Sequence, residues 1–192
     1  MTQIFEEPIT LFALFTWLLS EVIGAAIIPF LRRKGKVKTR SDRGSGIVVR
    51  LATYASVSLC VYFAISNVAI IPEWFSYVGA TIMLVGIAFR QWAIWVLGGF
   101  FSTEVKIISN QRIVIEGPYR VLRHPSYTGL LMIMLGFGLA ARTWVGTLAA
   151  LLLFVWGIGY RIKVEENALK KEFGDEYLDY AKKTKRLIPF LY

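Results

Sequence analysis

The chain has 192 residues, 56% of them hydrophobic and only 18% charged, with a mean hydropathy of +0.54, a balance too apolar for an ordinary water-soluble domain. Its net charge of +9 does not point to nucleic acid, because the basic residues lie between apolar runs and form no separate basic domain; membrane lipids with anionic head groups are the expected partner. One cysteine and one histidine exclude an intrachain disulfide and the usual zinc sites, so no metal is expected.

Apolar segments run over about 9–31, 47–71, 74–97, 126–141 and 143–160. The first three reach the roughly 20 residues that cross a bilayer as a helix. The first follows MTQIFEEPIT, which lacks the positive region of a signal peptide, and is read as a retained span with Glu21 at its middle. The second holds Arg50 and Cys60, the latter read as a small buried hydrophobe. The third holds Arg90 and Gln91, about 10 Å below its cytoplasmic end at 1.5 Å per residue. Charge inside a span is costly, so Glu21 and Arg90 are either an interhelical ion pair or functional groups, and Gln91 either packs helices or reaches a ligand.

The fourth and fifth segments are shorter and separated by little more than Arg142, which predicts a tight helical hairpin whose second arm continues past Tyr160. Gly136 to Ala141 fits G-x-G-x-x-A, yet it follows no strand and lies inside an apolar helix, where close helix packing accounts for it. Gly79 and Gly86 offer similar close approach, within one chain or between two. The expected architecture is an all-α integral membrane protein of five transmembrane helices. It forms one membrane-embedded domain over 1–192, and any chemistry that faces the cytosol has to be built from about 98–125 and 161–192.

Orientation follows from the basic residues. The connection Arg32–Gly46 carries seven Lys and Arg, Gly98–Pro125 four, and the tail from Arg161 eight, so 19 of the 22 fall on one side of a five-span arrangement. That side is cytoplasmic by the positive-inside rule, which leaves the amino terminus outside and the carboxy terminus inside the cell membrane. The tail reads as an amphipathic FGDEYLDY stretch, then a basic and an apolar membrane-surface segment.

At the mouth of the fourth span lies GPYRVLRHPSYTG, Gly117 to Gly129, with the sole histidine. His124 precedes Pro125 and is pushed toward extended geometry, while Pro125 suits a first helical turn. The N–H groups of Ser126, Tyr127 and Thr128 are then expected to face the cytosolic mouth and to favour a carboxylate or phosphate. A plain helix cap with interfacial tyrosines accounts for the same residues. Arg161 and Glu165, four apart on one helical face, lie across from this stretch; as an exposed pair they form a weak bridge, and as a site they are functional.

In order, GPYRVLRHPSYTG, Arg161-x-x-x-Glu165-Glu166-x-x-Leu169, FGDEYLDY and Pro189-Phe190 resemble the isoprenylcysteine carboxyl methyltransferase family over about the last 90 residues, in the form of its compact prokaryotic or archaeal members. The likeness extends more loosely to membrane phospholipid methyltransferases. The resemblance implies S-adenosylmethionine as cofactor, leaving S-adenosylhomocysteine, and transfer of methyl to the carboxylate of a lipophilic, prenylated-cysteine acceptor. It implies a cofactor pocket of Gln111, Arg112, Ile113, Val114, Gly117, Tyr119, His124, Pro125, Ser126, Tyr127 and Glu165. Arg161 and Glu165 are the implied catalytic residues, with Arg161 facing the acceptor carboxylate. Gln111 stands where family members commonly have His. An ethanolamine lipid as acceptor needs a carboxylate base, with Glu165 or Glu166 as candidates. A nicotinamide-dependent membrane reductase and a non-catalytic scaffold are the remaining readings.

Overall fold

The structure is a computed structural model and describes residues 8–31 and 35–188. The first apolar run forms helix α1 (Pro8–Val22), a π-helical segment at Ile23–Ile27, and α2 (Ile28–Leu31). Then come strand β1 (Val37–Arg40), helices α3 (Ser45–Ile65) and α4 (Trp74–Leu97), strand β2 (Lys106–Ile108), and helices α5 (Pro125–Ala140), α6 (Trp144–Phe173) and α7 (Asp175–Lys183). Three helical stretches, Ser45–Ile65, Trp74–Phe100 and Trp144–Phe173, are long and apolar enough to cross a membrane; α1 and α5 are shorter apolar helices.

The hairpin predicted around Arg142 is present. Arg142 turns the chain with φ 60°, and the Thr143 hydroxyl caps α6 by accepting from the Gly146 N–H at 3.2 Å. The second arm is one 30-residue helix that runs to Phe173 and ends at Gly174, whose φ of 52° suits glycine.

Packing of α4 on α5 explains the glycines. A Cβ added at Gly79 would lie 2.4 Å from the Ala140 nitrogen and 2.5 Å from the Gly136 oxygen, and one at Gly129 would lie 2.7 Å from Arg90 Cβ. Gly79 and Gly86 therefore face Gly129 and Gly136 within the chain, and the two backbones approach as only small residues allow. Met83, Ile133, Phe137 and Phe154 fill the core beside this seam.

Three expectations need correction. The span over 47–71 is too long: α3 stops at Ile65, because Asn67 and Ala69 take left-handed conformations and Ile70 pairs with Thr143. The apolar Val68–Ile71 belongs to a turn whose backbone locks onto the α5–α6 turn, with Ile71 N–H donating to Arg142 and Trp144 N–H to Ala69. The fold is not purely α either. Strands β1 and β2 pair antiparallel, with Val37 opposite Ile108 and Arg40 opposite Lys106. Strands this short show no alternation of their own, so long-range pairing alone defines them. Finally, residues 185–187, expected within a membrane-surface segment, pack back onto the protein. Leu187 is buried, and the carbonyls of Lys185 and Arg186 accept from the N–H groups of Arg123 and His124. Arg32–Lys34 and the Pro189-Phe190 motif lie outside the described residues.

These contacts define two ends. At one, the 66–73 turn meets the α5–α6 turn. At the other, β1 meets β2, and residues 121–124 meet 185–187, so the three basic regions converge.

Candidate functional site

Among the cavities at the basic end, two share a wall, with volumes of about 860 Å³ and about 1050 Å³ that include their open mouths. The first lies between β2, the 111–114 segment, the start of α5, and the face that α6 and α7 turn toward it. The second lies among α1, α3 and α4, and is the more apolar. Phe101, Ser102 and Tyr127 line both and form the wall between them.

Of the residues named by resemblance, Gln111, Arg112, Ile113 and Val114 line the first cavity, as do Tyr119, His124, Ser126, Tyr127 and Glu165. Gly117 and Pro125 do not line it. Gly117, at φ 55°, turns the chain against Val96, and Pro125 opens α5. The Gln111 side-chain oxygen accepts from the Ile108 N–H at 2.9 Å and so holds the turn after β2. Arg112 reaches out to Glu116 in an exposed pair.

Residues outside that set complete the cavity. Glu104 comes from the approach to β2, Lys106 from its first position, and Tyr177 and Tyr180 from α7. Tyr177 is 1% exposed, and the Tyr180 hydroxyl donates to the Tyr119 carbonyl at 2.9 Å. Burial, with the carboxylate of Glu165 nearby, pushes the Tyr119 phenol well above its ordinary pKa, so it stays protonated. The Tyr177 hydroxyl and His124 Nε2 are buried on this wall without a hydrogen-bond partner among the described residues.

His124 has φ −126° and ψ 54°, outside the helical region but short of fully extended. Its carbonyl takes the N–H groups of both Tyr127 and Thr128, so the expected fan of three free donors reduces to Ser126. Helix closure explains the loss, since the residue before the first turn supplies the first acceptor.

Arg161 is no surface residue: it is 3% exposed. Its Nε donates to the Tyr127 hydroxyl at 3.0 Å, and that hydroxyl donates to Glu165 Oε2 at 2.8 Å. Nη1 donates to the Asp42 carboxylate and, at 2.9 Å, to the Ser45 hydroxyl. The Arg161–Glu165 separation is 4.0 Å, so Tyr127 bridges what a bare i, i+4 pair was expected to do. Arg161 lines the second cavity and Glu165 the first.

Asp42 was not visible from motifs. Besides Arg161, its carboxylate accepts from the Ser45 hydroxyl and from the N–H groups of Gly46 and Val105. Burial acts to raise its pKa, but these two N–H groups, the Ser45 hydroxyl and Arg161 together hold it below the ordinary 3.8.

Two further charge clusters tie elements together, and Glu21 and Arg90 of the first also line the second cavity. Arg90 makes a two-pronged pair with Glu21, at 2.8 and 2.9 Å, and donates to the Ser126 carbonyl. Gln91 donates to the Ser20 carbonyl, which fastens α1 to α4. Glu166 is 4% exposed and accepts from Arg123 at 3.1 Å and from Arg186 at 3.2 and 3.1 Å, with His124 Nε2 3.5 Å away. It lines neither cavity and ties α6 to the start of α5 and to the carboxy-terminal segment.

The sequence model of the phospholipid methyltransferase family matches residues 74–176, more than half of the chain, which therefore belongs to that family. Among curated relatives, protein-S-isoprenylcysteine O-methyltransferase B of Arabidopsis thaliana is 32% identical over 120 residues, covering 62% of this chain and 61% of that protein. A probable protein-S-isoprenylcysteine O-methyltransferase of Oryza sativa subsp. indica is 27% identical over 159 residues, covering 79% and 83%. The chain thus spans about three fifths of the first relative and most of the second. A solved structure of the eukaryotic intramembrane Ras methyltransferase ICMT superposes with a TM-score of 0.62 over 95% of this chain and 63% of that one, at 23% identity, and shares the fold. Both curated relatives carry isoprenylcysteine O-methyltransferase names, which is the family that the ordered motifs resemble.

Proposed function

We propose that the protein methylates the carboxylate of a lipophilic, S-isoprenylcysteine-like acceptor, with S-adenosylmethionine as donor. The observation that carries this reading is the shared wall: Tyr127 divides a polar cavity holding Glu165 from an apolar cavity holding Arg161.

The residues of the first cavity suit the donor. Glu104 and Glu165 offer carboxylates to an ammonium or to ribose hydroxyls, and Lys106 and Arg123 offer cations to a carboxylate. Tyrosine rings offer faces to a sulfonium or to adenine, and the unpartnered Tyr177 hydroxyl awaits a polar ligand. When bound, S-adenosylmethionine supplies an electrophilic methyl group on a positively charged sulfur. In the second cavity Arg161 holds and orients the acceptor carboxylate, which is ionised near neutral pH and needs no base. The apolar lining from α1 and α3 takes the lipid tail and excludes water.

The amine-methylating alternative needs a free carboxylate base. Glu166 is committed to Arg123 and Arg186, and Glu165 lines the donor's cavity and not the acceptor's, so the arrangement favours a carboxylate acceptor. We also read five crossings of the cell membrane with the amino terminus outside, because the helices alternate between two ends and the basic regions gather at one.

Calorimetric titration of S-adenosylhomocysteine into detergent-solubilised protein tests the reading. Saturable heat is expected; its absence from folded protein removes the proposal.

A further inference from the structure

Resting on that proposed function, we infer that Asp42 is the positioning residue that aims Arg161 at the acceptor carboxylate. A guanidinium has five N–H donors fixed in one plane. In Arg161 the Nε donor is held by Tyr127, and both Nη1 donors are held by Asp42 and Ser45. Among the described residues no hydrogen bond engages Nη2. The side chain lines the apolar cavity, so Nη2 is the edge of the fork available to a ligand there.

Asp42 sets which edge that is. Its Oδ1 takes the Val105 N–H at 2.9 Å and the Ser45 hydroxyl at 3.0 Å, and its Oδ2 takes the Gly46 N–H at 3.2 Å. One carboxylate thereby joins the start of α3, the approach to β2 and the middle of α6. Those bonds fix the carboxylate, and the carboxylate fixes Nη1. An arginine without this anchor keeps several rotamers and loses aim, and misplacement by about 1 Å costs on the order of 100-fold in rate. The assignment rests on a segment outside the 74–176 family match, so the family motifs give no sign of it.

The test compares wild type with Asp42→Asn, using N-acetyl-S-farnesylcysteine as acceptor and S-adenosylmethionine as donor. Asn keeps an acceptor for one of the two backbone N–H groups, turns an NH2 toward the other, and removes the charge that holds Nη1. Acceptor kcat/KM is expected to fall about tenfold or more, while S-adenosylhomocysteine affinity stays within about threefold. Wild-type kinetics in Asp42→Asn overturn the inference. An equal loss of S-adenosylhomocysteine affinity overturns it too, by making Asp42 a wall residue of the first cavity. If Asp42→Asn does not fold, Ser45→Ala decides: a loss confined to the acceptor supports the inference, and wild-type values sink it. Wild type that neither binds S-adenosylhomocysteine nor methylates refutes the proposed function itself, whereas an active wild type with insensitive variants refutes only the role of Asp42.

Discussion

Glu166→Gln keeps the shape of a buried side chain and removes the charge that compensates its arginines. Removing one partner of a buried ion pair costs about 3–5 kcal/mol, because the remaining charge stays buried and uncompensated. Arg123 is 11% exposed and takes the full effect, whereas Arg186, at 36%, recovers part of its hydration. The low end of the range, about 3 kcal/mol, is the reasonable figure, and at roughly 2–4 °C per kcal/mol for a chain of this size it lowers the unfolding midpoint by about 6–12 °C. Cys60 is the sole cysteine and is 0% exposed, so a thiol-reactive fluorophore reports its release on heating in detergent at a fixed scan rate. A midpoint within about 2 °C of wild type refutes the view that Glu166 clamps α6 to residues 123–124 and 186.

Other outcomes follow from the same geometry. Arg161→Ala is expected to leave S-adenosylhomocysteine affinity nearly intact while abolishing transfer, and Glu165→Ala to weaken that affinity; matched losses of both properties in both variants remove the division of roles. Tyr127→Phe keeps the wall but breaks both of its bonds, and transfer is expected to fall by about tenfold with stability little changed, as kinetics and the thiol assay read it. Gly79→Val forces a side chain onto the backbone at Gly136 and Ala140, which costs about 1–3 kcal/mol and lowers the same thermal midpoint. Asp42 has a lowered pKa in the folded state, so its stabilisation is complete above 3.8 and is lost as pH falls through the lower folded value. The acid-unfolding curve of Asp42→Asn is therefore expected to be the shallower one below 3.8.

Helices were legible wherever apolar runs were long and clearly bounded, as at 74–97, between Glu73 and the Gly98-Gly99 pair, where both ends match α4 residue for residue. Hydropathy overshot at Val68–Ile71, where apolar residues form a turn, since composition reports burial and not backbone direction. Strands β1 and β2 left no trace because each is defined by the other across some 70 residues. Within the site, motif residues on one helix face were readable from spacing, and His124, Tyr127 and Glu165 do come together on one cavity wall. Asp42 was not, since a single aspartate in a basic connection resembles any solvated charge until folding brings Arg161 against it. Tyr177 and Tyr180 read as an amphipathic tail; only the return of residues 184–187 onto 122–124 turns α7 into part of the wall.

The chemistry of the acceptor is read most directly from whether the transferred methyl group is labile to base. Protein in detergent or vesicles is incubated with methyl-labelled S-adenosylmethionine and N-acetyl-S-farnesylcysteine, and the recovered lipid is treated with base. A methyl ester releases its label as volatile methanol, and that release, absent with Arg161→Ala, is the predicted result. Label that enters lipid but resists base marks N-methylation and contradicts the account.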